Sequence, residues 1–222
     1  MSRDGQRLVG FAMAMGAVLF TLGALGERLL GCAAGPEAEI VTLLKKAERG
    51  VELPIGAYGS LASANLQYQR LSVNVDLSAG TAIASGTLDF TGVFAKDTRV
   101  SSLGLERVRF SLIKGDWVPI DGVAPRLSAI VQALEGRRRR LEVGDFGETG
   151  DTGEITRLRQ MSRRAYRSDA WFIRSEREEV EVAEDYRLTG DSPARPTDEK
   201  ATKRLTLTQD PSGQFFFPNG LL

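Results

Sequence analysis

Histidine is absent from this 222-residue chain, and cysteine occurs once, at Cys32. Without histidine there is no Ser-His-Asp or Cys-His nucleophile, no His-ligated zinc and no imidazole switch near neutral pH. A single cysteine excludes an intrachain disulfide and a multi-cysteine metal site, so cysteine usage says nothing of the redox compartment. An excess of either charge is also missing: 29 basic and 29 acidic residues give a formal net charge of zero. Bulk electrostatics therefore do not predict a polyanion binder, and no nucleic acid is expected as a partner. None of the 24 glycines falls in a P-loop or dinucleotide pattern. Asp89 and Asp121 have no companions at a metal-ligand spacing, so no cofactor or metal is expected.

What is present begins with an apolar run. Residues 8–26, LVGFAMAMGAVLFTLGALG, are nineteen residues without a charge. About 20 apolar residues span a bilayer as a helix, whereas a secretory core is shorter, about 7–15. The length predicts a retained membrane anchor over a cleaved signal peptide or a buried helix. Arg3 and Arg7 precede the run and Arg28 follows it, so the positive-inside rule places the N-terminus in the cytoplasm and the bulk of the chain outside. Gly10 with Ala14, and Ala12 with Gly16, sit at a spacing that lets two such helices approach.

Beyond the anchor, Pro36 opens a helical pattern with Glu37 and Glu39 in its first turn and an apolar stripe of Ile40, Leu43, Leu44 and Ala47. The segment 57–67 reads as a second short helix. Alternation then takes over. Leu71, Val73, Val75 and Leu77 oppose Ser72, Asn74 and Asp76, and further strands are expected over 82–93 and around Val108, Phe110 and Leu112. Lys114-Gly115-Asp116 reads as a tight turn into Trp117. Residues 124–142 form a helical pattern, GDFGETGDTGE reads as a solvated linker, and 154–167 reads as another helix.

The order repeats. Gly92, Gly115 and Gly122 have counterparts 98 residues on in Gly190, Gly213 and Gly220. The same offset pairs Tyr68 with Tyr166, Val73 with Trp171 and Val75 with Ile173. A constant offset across turn glycines and core-like aromatics predicts a duplicated helix-plus-meander unit, with Trp171 and Ile173 facing inward.

A helix followed by a bent antiparallel sheet, with the strand–Gly–Trp–Val–Pro ending at Gly115 to Pro119, resembles NTF2-like or cystatin-like domains. The resemblance implies an α+β fold, here in tandem, and carries no functional residue. Leu29-Leu30-Gly31-Cys32 resembles the lipobox of bacterial lipoproteins, which would make Cys32 a candidate lipidation site. Glu27 and Arg28 separate it from the apolar run, and the competing reading is a small juxtamembrane cysteine.

The expected fold class is thus α+β, an N-terminal transmembrane helix followed by two helix-plus-antiparallel-sheet units. Its divisions are a tip, anchor and juxtamembrane segment at 1–31, a first unit at 32–143, a linker at 144–153 and a second unit at 154–222. The sharpest charge run, Arg137, Arg138, Arg139 and Arg140, is a candidate site for an anion or an acidic partner, against a solvated helix end complementing its dipole. Glu184, Asp185 and the glutamates from Glu176 to Glu181 supply carboxylates, but at the spacing of a half-solvated strand. Trp117, Trp171 and Phe215 to Phe217 read as core rather than pocket lining. No catalytic residue stands out. The reading is a membrane-anchored, extracytoplasmic, non-enzymatic module that meets the membrane through 8–26 and binds a protein or an anionic envelope component. The alternatives are a small-molecule binder or enzyme using an NTF2-like pocket, and a lipoprotein anchored at Cys32.

Overall fold

The computed structural model describes residues 35–48, 52–54, 60–94, 98–144, 153–176, 178–191 and 196–218. The elements run α1 (Pro36–Ala47), β1 (Glu52–Pro54), β2 (Ser60–Asp76), β3 (Thr81–Phe94), β4 (Thr98–Ile113), β5 (Asp116–Pro119) and α2 (Pro125–Val143). They continue with α3 (Gly153–Gln160), β6 (Ser162–Glu176), β7 (Glu179–Asp191), β8 (Pro196–Gln209) and β9 (Phe215–Phe216).

All nine strands belong to one sheet, ordered β1-β2-β3-β4-β6-β7-β8-β9, with β5 on the far end of β4. Neighbours pair antiparallel except at the centre, where β4 and β6 run parallel over six residue pairs from Arg99↔Ala170 to Gly104↔Ser175. A parallel step needs a long crossover, and β5, α2 and α3 make up that connection. Period-two alternation sorts each strand into a buried and an outer face; β3, for example, buries Leu88, Phe90 and Phe94 while Val93 is exposed. Helix α2 starts with Pro125 at its first turn and ends at Gly144, whose φ of 79° is the left-handed cap conformation. Its Leu127, Ile130, Val131 and Leu134 join Phe90, Phe110, Trp117 and Trp171 in the main core.

The expected fold class is corrected here. The two meanders are not separate sheets, because the β4–β6 pairing joins them into one mixed sheet. No helix among the described residues is long and apolar enough to cross a membrane, so the transmembrane helix of that expectation has no counterpart among them. The longest, α2, has 19 residues and carries five arginines and two glutamates. The run at 8–26, Cys32 and most of the 144–153 linker lie outside the described residues. Two helix expectations also fail. Residues 60–67 belong to β2 and 162–167 to β6, because pairing with β3 and β7 decides these short ambiguous stretches. The helix expected over 154–167 is confined to Gly153–Gln160.

The two meanders match in strand order, but their offset drifts. At the first hairpin Asp76 pairs with Thr81, and at the second Glu176 pairs with Glu179. Thus β3 and β7 keep the 98-residue offset, whereas β2 and β6 differ by 100. At the next hairpin Thr81 pairs with Ser111 and Glu179 with Thr208, an offset of 97 for β4 and β8. Different connection lengths cause the drift, so Tyr166 occupies the place of Leu66 rather than that of Tyr68. Trp171 and Ile173 do face the core. The turn glycines Gly115 and Gly213 share a positive φ, 93° and 90°.

Candidate functional site

Glu184 lies on β7 in phase with Val180, Val182, Tyr186 and Leu188, so the pleat turns it inward. On α2, Arg137 follows Ile130 and Leu134 and precedes Leu141 at helical spacing, so it too faces the sheet. Both side chains are 1% exposed, and Arg137 Nη1 donates to Glu184 Oε2 over 2.6 Å. Tyr166 Oη donates to the same oxygen at 2.9 Å. The other oxygen, Oε1, accepts from Ser168 Oγ at 2.5 Å and from Trp171 Nε1 at 3.1 Å. Four donors around one carboxylate satisfy its lone pairs. Burial is the strongest single influence on Arg137 and pulls its pKa down, but the Glu184 charge and the contacts with Tyr166 and Glu184 together outweigh it, and the net shift is upward. Burial, and then the Glu184 charge, push the Tyr166 phenol up, so the phenol stays protonated. The group lies between the main core and a smaller cluster of Leu141, Leu158, Met161, Tyr166, Tyr186 and Leu188.

A second buried carboxylate, Glu106 on β4, meets the start of α2. The N-cap residue Ala124 has no capping side chain. Glu106 takes over that role from the sheet: Oε1 accepts from the Arg126 amide at 2.9 Å and Oε2 from the Leu127 amide at 3.1 Å. Burial pushes its carboxyl up to about 7, against the lowering effect of those amides and of Arg126. Arg126 in turn donates to Ser175 Oγ at 2.7 Å and Gln209 Oε1 at 2.9 Å and lies 5.2 Å from the Phe215 ring centroid. The cavity between Glu106, Arg126 and Ser175 measures only about 10 Å³, enough for about one water molecule.

The arginine run is divided by this geometry. Arg137 and Arg138 are buried, and Arg138 binds Glu135 and Glu142, each at 2.5 Å. Arg139, with its side chain 52% exposed, lies 3.6 Å from Glu135, and Arg140 is exposed. The four do not converge on one anion site. Among the described residues no group of three or more acidic, histidine or cysteine side chains is placed to hold a metal. Glu179 and Glu181 are exposed strand residues, whereas Glu184 is the buried centre described above. Helical and strand phase were the signals that mark Arg137, Glu184 and Glu106, which shares the phase of Val108 and Phe110.

The outer face of the central strands differs in character. Leu103, Leu105 and Phe172 are exposed there, and a groove of about 720 Å³ runs over Ser101, Leu103, Phe172, Arg174 and Ala183. Arg99 and Arg107 flank the leucines on β4. No family model, no curated protein and no solved structure matches the chain.

Proposed function

We propose that this chain is a non-enzymatic binding module, placed outside the cytoplasm, whose outer sheet face receives a protein segment with apolar and acidic side chains. One observation carries the reading: among the described residues, the larger of two spaces lies outside the core. The interior cavity holds about 10 Å³, while the groove over Leu103 and Phe172 holds about 720 Å³. Leu103 and Phe172, 51% and 49% exposed, supply apolar contact. Arg174 and Arg204 line the groove with Glu181, and Arg99 and Arg107 flank the leucines on β4, so positive charge outweighs negative there and favours acidic flanks on the partner. The buried carboxylates speak for structure rather than chemistry. Glu184 is saturated by four donors, and Glu106 caps a helix. The extracytoplasmic placement rests on the sequence alone, on the apolar run and the arginines before it.

Selection of peptides from a displayed random library against the full chain tests the binding reading. Enrichment of sequences mixing apolar and acidic residues is expected, with binding lost in Phe172→Asp and weakened in Arg174→Glu. Peptides indifferent to both substitutions would overturn it. For placement, a reporter active only outside the cytoplasm, fused after residue 222, should be active; activity of a cytoplasm-only reporter would overturn that part.

A further inference from the structure

The two borders of the sheet are treated differently. On β2 the outer edge is guarded. Register shifts interrupt it between Ser63 and Asn65 and between Gln69 and Ser72. At Tyr68 both backbone groups are taken by the end of α1 and the residue after it: Lys45 Nζ donates to the Tyr68 carbonyl at 2.9 Å, and the Tyr68 amide donates to Glu48 Oε1 at 3.0 Å. Bulges and covering side chains are the usual protection of an edge. On β8 neither device is found among the described residues. It pairs with β7 through thirteen consecutive positions, from Glu179↔Thr208 to Asp191↔Pro196, without a register shift. Among the described residues its other edge pairs only with β9, at Thr208 and Gln209. None of them pairs with the straight run over 196–206 on that edge.

The charges along that run are ordered. Asp198, Glu199 and Lys200 precede Ala201, and Thr202, Lys203 and Arg204 follow it. We infer that β8 pairs antiparallel with β8 of a second copy, about a two-fold axis through Ala201. In that register Asp198 stands opposite Arg204 of the partner subunit, Glu199 opposite Lys203 of the partner subunit, and Lys200 opposite Thr202 of the partner subunit. The axis generates each contact twice, so four opposite-charge pairs form and no like charges meet. Moving the axis by half a residue or one residue either way leaves at most one such pair per half, and three of these four shifts set basic residues against each other. Directly opposed residues share a face, so each ion pair is a cross-strand neighbour. Lysine on a strand edge ordinarily deters pairing. Here a basic residue meets an acidic one under the two-fold, and the same charges select one register. The in-chain partners of the acids are compatible with it: Arg187 holds Asp198 from β7, and Arg157 holds Glu199 from α3. Such an interface is isologous and closed, so it ends at two copies instead of growing a fibre. Both outer grooves then lie on the same side of one continuous sheet.

The test uses the full chain with charge-reversed variants. Arg204→Asp alone sets aspartates against each other, and Asp198→Arg alone sets arginines against each other. Each should be monomeric at concentrations where the parent chain is dimeric by light scattering. Mixed one to one, the two variants should restore the dimer as a heterodimer, since every opposed pair is again of opposite sign. In a Cys32→Ser background, Ala201→Cys should cross-link to its counterpart under mild oxidation, and Thr197→Cys should not. A parent chain that is monomeric at all concentrations overturns the proposal. So does a mixture that stays monomeric, or cross-linking through Cys at 197 in preference to 201.

Discussion

The two meanders use one strand layout to build two kinds of interior. In the first, the β3 position facing the bulge of β2 is Gly86, where an added Cβ would lie 3.0 Å from Leu71 and from the Gln69 carbonyl. In the second, the position 98 residues on is Glu184, and the bulged β6 supplies Ser168 and Trp171 as donors to it. The first half closes its core by close approach of backbone and apolar side chains. The second opens the same place for a carboxylate, which α2 answers with Arg137. Removing one partner from a buried pair leaves an uncompensated charge, whereas replacing both by apolar groups is often nearly neutral. The polar interior of the second half therefore specifies how α2 docks on β7 more than it adds stability.

The largest expected effect sharpens this contrast. Glu184→Ala should lose about 3–5 kcal/mol in denaturant unfolding, because Arg137 stays buried without its carboxylate. Arg137→Met with Glu184→Leu should recover most of that loss; a double variant as unstable as the single one would mean that the pair itself provides the stability.

Next comes the carboxylate at the seam between the halves. Burial raises the Glu106 carboxyl from its ordinary 4.5 to about 7, so the folded chain holds this proton more tightly than the unfolded one. Its contribution is full below about 4.5 and is lost as pH rises through about 7. Unfolding free energy should fall by about 2–3 kcal/mol between those limits, and Glu106→Gln should flatten the dependence. An unchanged slope in that variant would assign the titration elsewhere.

Gly104 tests the seam sterically. A Cβ there would lie 2.5 Å from both the Cβ and the carbonyl oxygen of Ser175, across the parallel pairing. Gly104→Ala should cost about 1–3 kcal/mol, the range of overpacked sites. A variant as stable as the parent would show that β4 and β6 can separate locally. The smallest effect is expected at Arg139→Ala, within about 0.5 kcal/mol, since that side chain is half exposed. A loss comparable to that at Glu184 would remove the distinction between the buried and exposed arginines of one run.

Much of the local structure was legible because it depends on neighbours in the chain. Pro36, Glu37 and Glu39 mark the start of α1; Pro125 and Gly144 bound α2; Gly115 and Gly213 mark matching turns. Alternation located most of β3 and β7 but only the last third of β4, around Val108, Phe110 and Leu112. The arginine run was legible as a charge cluster but not as two inward and two outward side chains, since the face of α2 that meets the sheet depends on where the sheet lies.

By itself, the sequence determined the absence of histidine chemistry and the order of the strands along each meander. Only the tertiary structure decided that two similar meanders share one sheet. Parallel pairing of Arg99 to Gly104 with Ala170 to Ser175 joins residues about 70 positions apart in the chain, and no local pattern encodes a contact at that separation. It also decided which carboxylates are buried against arginine or a helix end and which border of the sheet is left unpaired among the described residues. Both depend on side chains brought together across strands, which is where burial turns an ordinary glutamate into a structural charge.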